Sequence, residues 1–299
     1  MAAGDKGKRF IEDMDARRAA WYIQQGGYDR AVIILQPYVK AGNENMRMLS
    51  DYLMALRFDN KSKEAEQTFS QLCKDWSKMP VYGLQTMGDL YLRAGKYRQA
   101  HKVYDYILQK TDVDYVRLGD AYALAMMGHD RASALQYAAV VKRYPVRQGI
   151  VAADAAAFLQ QGRLGLSRQL FNMLGSTSAE REKWQLQYGQ KLLDATDDLN
   201  NNRLNFQRDE RLDDRSYYHE VNKVLRPLLA SSNEHIRQSA EAAMAQNQLN
   251  KGLYASADNQ LAVLLASHAA DNPDVMDVSS QNERRQENTI NSYYRTQLD

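Results

Sequence analysis

The sequence predicts an all-α chain, an α-solenoid or superhelix of about seven short helix–turn–helix repeats. Three observations carry this. Small residues recur with near-constant spacing, Ala31, Ala65, Ala100, Ala134 and Ser167, separated by 34, 35, 34 and 33 positions. A residue of that size is what two helix backbones need where they cross closely. Each small residue is flanked by apolar residues at helical spacing. Composition agrees: 44% of residues are hydrophobic and only 5 are Pro. Abundant Ala, Leu, Gln, Arg and Lys with few β-branched runs favour helix.

Taken in order, residues 1–11 read as a disordered or cloning-derived N-terminus, and 12–175 as a regular array of five repeats. The first repeat carries Tyr22, Gly26, Tyr28 and Leu35, and the second Leu56, Phe69 and Leu72. The third, Val81 to Leu108, turns at Gly95, where a residue without Cβ takes positive φ. The fourth has Leu118, Ala125, Ala138 and Val141 and closes at Pro145. Phe158, Gly162, Leu164, Phe171 and Leu174 make the fifth.

Beyond Gly175 the period falters, and 176–275 reads as divergent repeats. Ser176 to Ser178 with Glu180 make a capping box for a helix bearing Trp184, Leu186, Tyr188, Leu192 and Leu193. The stretch at about 195–215 is polar and rich in Asn and Asp, an expected insertion or mobile loop. Ser167 and Ala257 lie 90 positions apart, which is not a whole number of repeats, and the insertion accounts for the lost register. Gly252, Tyr254, Ala257, Leu261 and Leu264 form a last good unit. Residues 276–299 read as a capping helix or the first helix of an incomplete repeat.

With Val81 as the first position of a 34-residue unit, Leu84, Met87, Gly88, Tyr91, Gly95, Tyr97, Ala100, Tyr104 and Ile107 fall at positions 4, 7, 8, 11, 15, 17, 20, 24 and 27. This pattern resembles the tetratricopeptide repeat family. The resemblance implies a non-catalytic scaffold whose first helices line a concave groove, with positions 2, 5, 9, 12 and 13 pointing into it. In the second unit, starting at Met46, these are Arg47, Ser50, Met54, Arg57 and Phe58; in the third, Tyr82, Gln85, Asp89, Leu92 and Arg93. The fourth gives Val116, Gly119, Ala123, Met126 and Met127. Arg47, Ser50, Arg57, Tyr82, Gln85, Asp89 and Arg93 are therefore the expected contacts for an extended or helical peptide of a protein partner. Members that grip the acidic C-terminus of chaperones carry Lys at position 5 and Asn at position 9. Here those positions hold Ala16 and Ala20, Ser50 and Met54, or Gln85 and Asp89, which disfavours that partner.

Chemistry is excluded more easily than it is found. The net charge of +2 gives no footprint for nucleic acid, and no apolar run approaches the ~20 residues of a membrane span. Cys73 is the single cysteine, so no intrachain disulfide forms, and it reads as a small packed hydrophobe. His101, His129, His219, His235 and His268 are scattered, without the i, i+4 pairs of a helical metal site. No phosphate loop, nucleophile elbow or dinucleotide fingerprint is present, so no cofactor is expected. The aromatic series Tyr22, Tyr28, Tyr91, Tyr97, Tyr104 and Phe171 follows the repeat register and reads as core.

A narrower resemblance rests on GDLYLRAGKYRQAHKVYDYIL followed by DVDYVRLGDAYALAMMGHDRASAL, within roughly residues 12 to 270. It is similar to the periplasmic repeat region of bacterial outer-membrane exopolysaccharide exporters of the poly-N-acetylglucosamine and cellulose type. That implies a periplasmic scaffold that docks a polysaccharide-modifying enzyme or passes the polymer itself. The alternatives are a cytoplasmic adaptor or assembly factor, and a carbohydrate-active α-solenoid module using Asp89 or the acids of 195–215.

Overall fold

The computed structural model describes residues 3–175, 178–200, 214–267 and 269–298. Among them the regular structure is helical throughout. The chain divides into two compact units, Met1–Arg147 and Gln148–Asp299. The break falls inside the stretch 12–175 that the spacing treats as one array.

The first unit holds four helix pairs: α1 (Ala3–Gln24) with α2 (Tyr28–Lys40), α3 (Met46–Phe58) with α4 (Ser62–Leu72), α5 (Val81–Arg93) with α6 (Tyr97–Leu108), and α7 (Asp114–Met126) with α8 (Asp130–Arg143). The second holds α9 (Gln148–Gln160) with α10 (Leu164–Asn172), α11 (Ser178–Asn200) with α12 (Asp214–Leu225), α13 (Glu234–Asn250) with α14 (Tyr254–Ala266), and a final α15 (Pro273–Leu298). Residues 3–11, expected to be disordered, open α1. Of the stretch 195–215, residues 195–200 extend α11 and 214–215 begin α12, which shortens the expected loop. Residues 201–213 and the Ser176 end of the expected capping box lie outside the described residues.

Among the described residues one turn joins the two helices of a pair six times, and Gly42 (φ 73) makes the same turn between the first two pairs. The residues at its centre have left-handed backbone: Gly26 (φ 75), Asn60 (φ 59), Gly95 (φ 70), Gly128 (φ 83), Gly162 (φ 77) and Gly252 (φ 79). In each, the next amide reaches back to a carbonyl of the helix just ended, as Lys96 N does to Tyr91 O at 2.9 Å and Arg163 N to Phe158 O at 2.9 Å. This is the Schellman arrangement that satisfies the last carbonyls of a helix. Five residues after each turn centre within a pair comes the crossing residue: Ala31, Ala65, Ala100, Ser133, Ser167 and Ala257, all fully buried.

This register corrects one position of the sequence reading. Ser133, not Ala134, is the counterpart of Ala100: its amide bonds His129 O at 2.9 Å, as Ala100 N bonds Lys96 O at 3.0 Å. Ser133 fits where alanine would because its hydroxyl donates to Ala121 O across the pair at 2.7 Å, and Ser167 repeats this with Ala155 O at 2.7 Å. A buried hydroxyl with a partner carries no desolvation penalty of an orphan.

In the first unit, α1, α3, α5 and α7 form a continuous row, each packed on the next, with the second helix of each pair behind them. Tyr104 of α6 is the wedge that sets the spacing between α5 and α7. A Cβ at Gly88 would collide with one edge of its ring, and a Cβ at Gly119 would lie 2.7 Å from Cζ on the other side. Tyr52, Leu53, Leu56, Met87, Val103 and Ile107 fill the surrounding core. Cys73 is buried there, its Sγ 3.8 Å from Met79 Sδ, as expected for a packed thiol.

The second unit keeps the same logic, with α11 and α13 longer than the second helices of their pairs. Phe171, Trp184 and Tyr188 stack in sequence, with ring centroids 4.3 and 4.9 Å apart, and join α10 to α11. Gly189 of α11 leaves room for the Leu225 side chain of α12. Buried Asn247 of α13 donates to Tyr218 O and Asn222 Oδ1, both at 3.0 Å. α15 lies against α13 and α14, with Val275 and Val278 entering the core that contains Leu249, Leu261 and Leu264.

Candidate functional site

In the row of first helices, α3 and α5 are joined to each other by polar side chains. Asn45 caps α3, its Oδ1 accepting from Arg47 N (3.1 Å) and Met48 N (3.2 Å), which leaves the Arg47 side chain exposed at the helix start. Tyr82, in the first turn of α5, reaches across to it. Its hydroxyl donates to Asp51 Oδ1 at 2.8 Å and lies 3.2 Å from Arg47 O. Two turns further along, Arg57 Nη1 donates to Asp89 Oδ2 at 2.9 Å, and Tyr104 donates to Asp89 Oδ1 at 2.7 Å. Asp89 is thereby held from both sides, by α3 and by the wedge from α6. Arg57 Nε is buried and has no hydrogen-bond partner among the described residues.

Burial pushes the Asp51 carboxyl above the usual aspartate value, with the Tyr82 bond and the Arg47 charge pulling the other way. Burial likewise drives the Tyr82 hydroxyl up, reinforced by Asp51, and the Tyr104 hydroxyl up, reinforced by Asp89. Both phenols stay protonated donors at any physiological pH. The rungs are therefore fixed hydrogen bonds between neighbouring repeats and not proton-transfer sites.

The expected contact residues separate into three groups. Arg47, Tyr82, Arg57 and Asp89 come together in this ladder. Gln85, half-buried, and Arg93, exposed, lie on the same helix outside it. Ser50 is corrected: it is fully buried, its Oγ donates to Met46 O at 2.7 Å, and a Cβ at Gly83 of α5 would strike it. The helices approach so closely at position 5 that the side chain faces the next helix. Gly119 at the same position meets Tyr104, and Val116 and Ala123 are also fully buried. Phe58 is exposed and stacks on Tyr28 with ring centroids 5.0 Å apart, beneath the Arg57 guanidinium.

Spacing did not single out Asp51 or Tyr104 as polar partners. The available signal was complementarity between successive units, an acid on one facing a tyrosine or arginine of the next. A second buried carboxylate, Asp120 of α7, is 1% exposed and lies 2.6 Å from His101 Nδ1 and 3.0 Å from Gln136 Nε2. Burial raises its pKa, opposed by the hydrogen bond and charge of His101, assisted by Asp105 and opposed again by Gln136. Among the described residues no group of three or more His, Cys, Asp or Glu is arranged to hold a metal ion, and no helix is long and apolar enough to cross a membrane.

No protein-family model matches the chain, and no curated protein matches it. Solved structures are similar in arrangement. One is a tetratricopeptide repeat protein from Parabacteroides merdae, 10% identical, covering 91% of this chain and 99% of its own, with a TM-score of 0.45. Naa15/Naa10 bound to HypK-THB is 14% identical over 95% of this chain and 42% of that one, at a TM-score of 0.49. The P58(IPK) TPR domain is 10% identical over 92% and 79%, at 0.32. At these values the helix pairing in the chain itself is what establishes an all-α stack of helix–turn–helix repeats.

Proposed function

We propose that the chain is a non-catalytic scaffold that binds a segment of a protein partner along the α3–α5 face of its first unit. The observation that carries this reading is the pairing of a rigid ladder with exposed neighbours. Arg57 and Asp89 are locked by Tyr104, while Arg47, Gln85 and Arg93 beside them remain accessible. Preorganised polar groups on a row of helices suit an extended or helical peptide, since little side-chain order is lost on binding.

The test is capture of partners by the full chain and by an Arg47→Ala, Gln85→Ala, Arg93→Ala variant, which leaves the side-chain bonds of the ladder and the Arg47 carbonyl in place. The expected outcome is a loss of about tenfold in affinity for whatever the face binds, near the total for two or three modest interface contacts. Undiminished capture would reject this face. The polysaccharide-export reading, and the periplasmic location that goes with it, is supported by the sequence resemblance alone. A neighbouring gene for a glycosyltransferase would add the support it lacks.

A further inference from the structure

One buried carboxylate of the first unit takes no part in the α3–α5 ladder. Asp120 of α7 is 1% exposed, with its Oδ1 2.6 Å from His101 Nδ1 of α6 and its Oδ2 accepting from Gln136 Nε2 of α8 at 3.0 Å. Its two neighbours in sequence meet the same helices. Gly119 packs on the Tyr104 ring of α6, and Ala121 O accepts from the Ser133 hydroxyl of α8 at 2.7 Å. Three consecutive residues of α7 therefore make up the joint at which the fourth helix pair meets the third.

What sets this joint apart is the residue that neutralises its carboxylate. Elsewhere in the unit Asp89 meets Arg57, Glu66 meets Lys96, Asp112 meets Arg117 and Arg143, and Asp114 meets Arg147. Arginine and lysine of ordinary environment keep their charge at physiological pH. His101 is the one histidine that pairs with a carboxylate among the described residues, and histidine changes charge within that range. Its side chain is 35% exposed and exchanges protons with solvent, while the carboxylate behind it is shut away from water.

His101 is also the one cation among the groups that weigh most on Asp120. From α6, Asp105 adds a like charge. Arg117 of α7 is engaged by Asp112 and by Gln136 Oε1, and Gln136 of α8 is neutral. On α5, Asp89 is held by Arg57 and by Tyr104, whose hydroxyl feels both aspartates and stays protonated. A buried carboxylate that loses its counter-charge is left with hydrogen bonds that offset only part of its desolvation.

We infer that the joint of α6, α7 and α8 is a proton-operated latch: protonated His101 lets Asp120 hold the fourth helix pair against the third, and release of that proton loosens the pair. The two groups exchange protons as a unit, so the release belongs to the pair and not to either residue. The closed joint holds the proton more tightly than the open one, so closure is favoured on the acid side and weakens as pH rises. The latch works whether or not the α3–α5 face binds a partner, and each stands or fails by itself.

Hydrogen exchange of the full chain, read by mass spectrometry and corrected for the intrinsic pH dependence of amide exchange, tests this between about pH 5 and about pH 8. Exchange in α7 and α8 should rise at least about fivefold relative to α1 and α2 across that range. His101→Gln, which keeps a hydrogen-bond donor and takes up no proton, should hold the ratio within about twofold, as should Asp120→Asn. His129→Gln alters the other histidine of the unit, in the turn before α8, and should behave as the parent. The inference is overturned by a parental ratio that stays constant, by a rise that persists in His101→Gln, or by one abolished in His129→Gln. If Asp120→Asn fails to fold, the two histidine variants decide.

Discussion

At the scale of single residues, Tyr104 decides the geometry of the first unit. It is completely buried, separates Gly88 from Gly119, and ties Asp89 to the same point. Tyr104→Phe removes one hydrogen bond and should lower the urea unfolding free energy of the unit by about 1 kcal/mol. Gly88→Ala forces a methyl into the ring and should cost more, ~1–3 kcal/mol, in line with overpacked cores. An equal or smaller loss for Gly88→Ala would mean that the ring moves freely and is not the wedge described. Asp120 supplies a pH dependence. Its folded-state pKa is raised, so the proton is held more tightly in the folded chain, and its contribution to stability is fully present below the ordinary value of 3.8 and lost as pH rises through the folded value. Asp120→Asn should flatten that decline, so that the variant gains relative to the parent in urea midpoints as pH rises above the ordinary 3.8, with parallel curves counting against the assignment.

At the scale of the element, the repeated turn matters most. Within the helix pairs five of its six left-handed centres are Gly, and the second is Asn60, at φ 59. Asparagine, like aspartate, visits this region more readily than other residues with a side chain, because its short polar group bonds locally. Gly95→Ala should therefore destabilise by ~1 kcal/mol, whereas Asn60→Gly should stay within about 0.5 kcal/mol of the parent, because relief of backbone strain is offset by a more flexible unfolded chain. Thermal melts of the two variants check this, and a large loss from Asn60→Gly would show that its side chain has a further role. The crossing position works the same way: methyl in four pairs, hydroxyl in the Ser133 and Ser167 pairs, each fully buried. A spacing count tolerant of one residue selected Ala134. Only the hydrogen bond to His129 O, shared in kind with the other pairs, fixes Ser133 there.

At the scale of the whole molecule, each unit carries its own apolar core and each pair leans mainly on its neighbours. In such arrays local damage stays local. Gly95→Ala should raise amide hydrogen exchange in α5, α6 and the helices packed on them, and Gly252→Ala in α13, α14 and α15. Combined, their local effects should add within about 0.5 kcal/mol, as expected for sites far apart in the contact network. Exchange mass spectrometry showing uniform loosening from either change would contradict this.

The sequence by itself determined the class of fold, four of the turn glycines (Gly26, Gly95, Gly162 and Gly252) and nearly every crossing position, because these depend on local φ and on side-chain size repeated at a fixed interval. It also named Arg57 and Asp89 as polar groove residues of successive units, without showing that they bond to each other. What only tertiary structure decided is which polar residues look outward. Ser50 and Gly119 occupy positions expected in a groove, yet they face a helix, since the closeness of α3 to α5 and of α6 to α7 is a property of two segments at once.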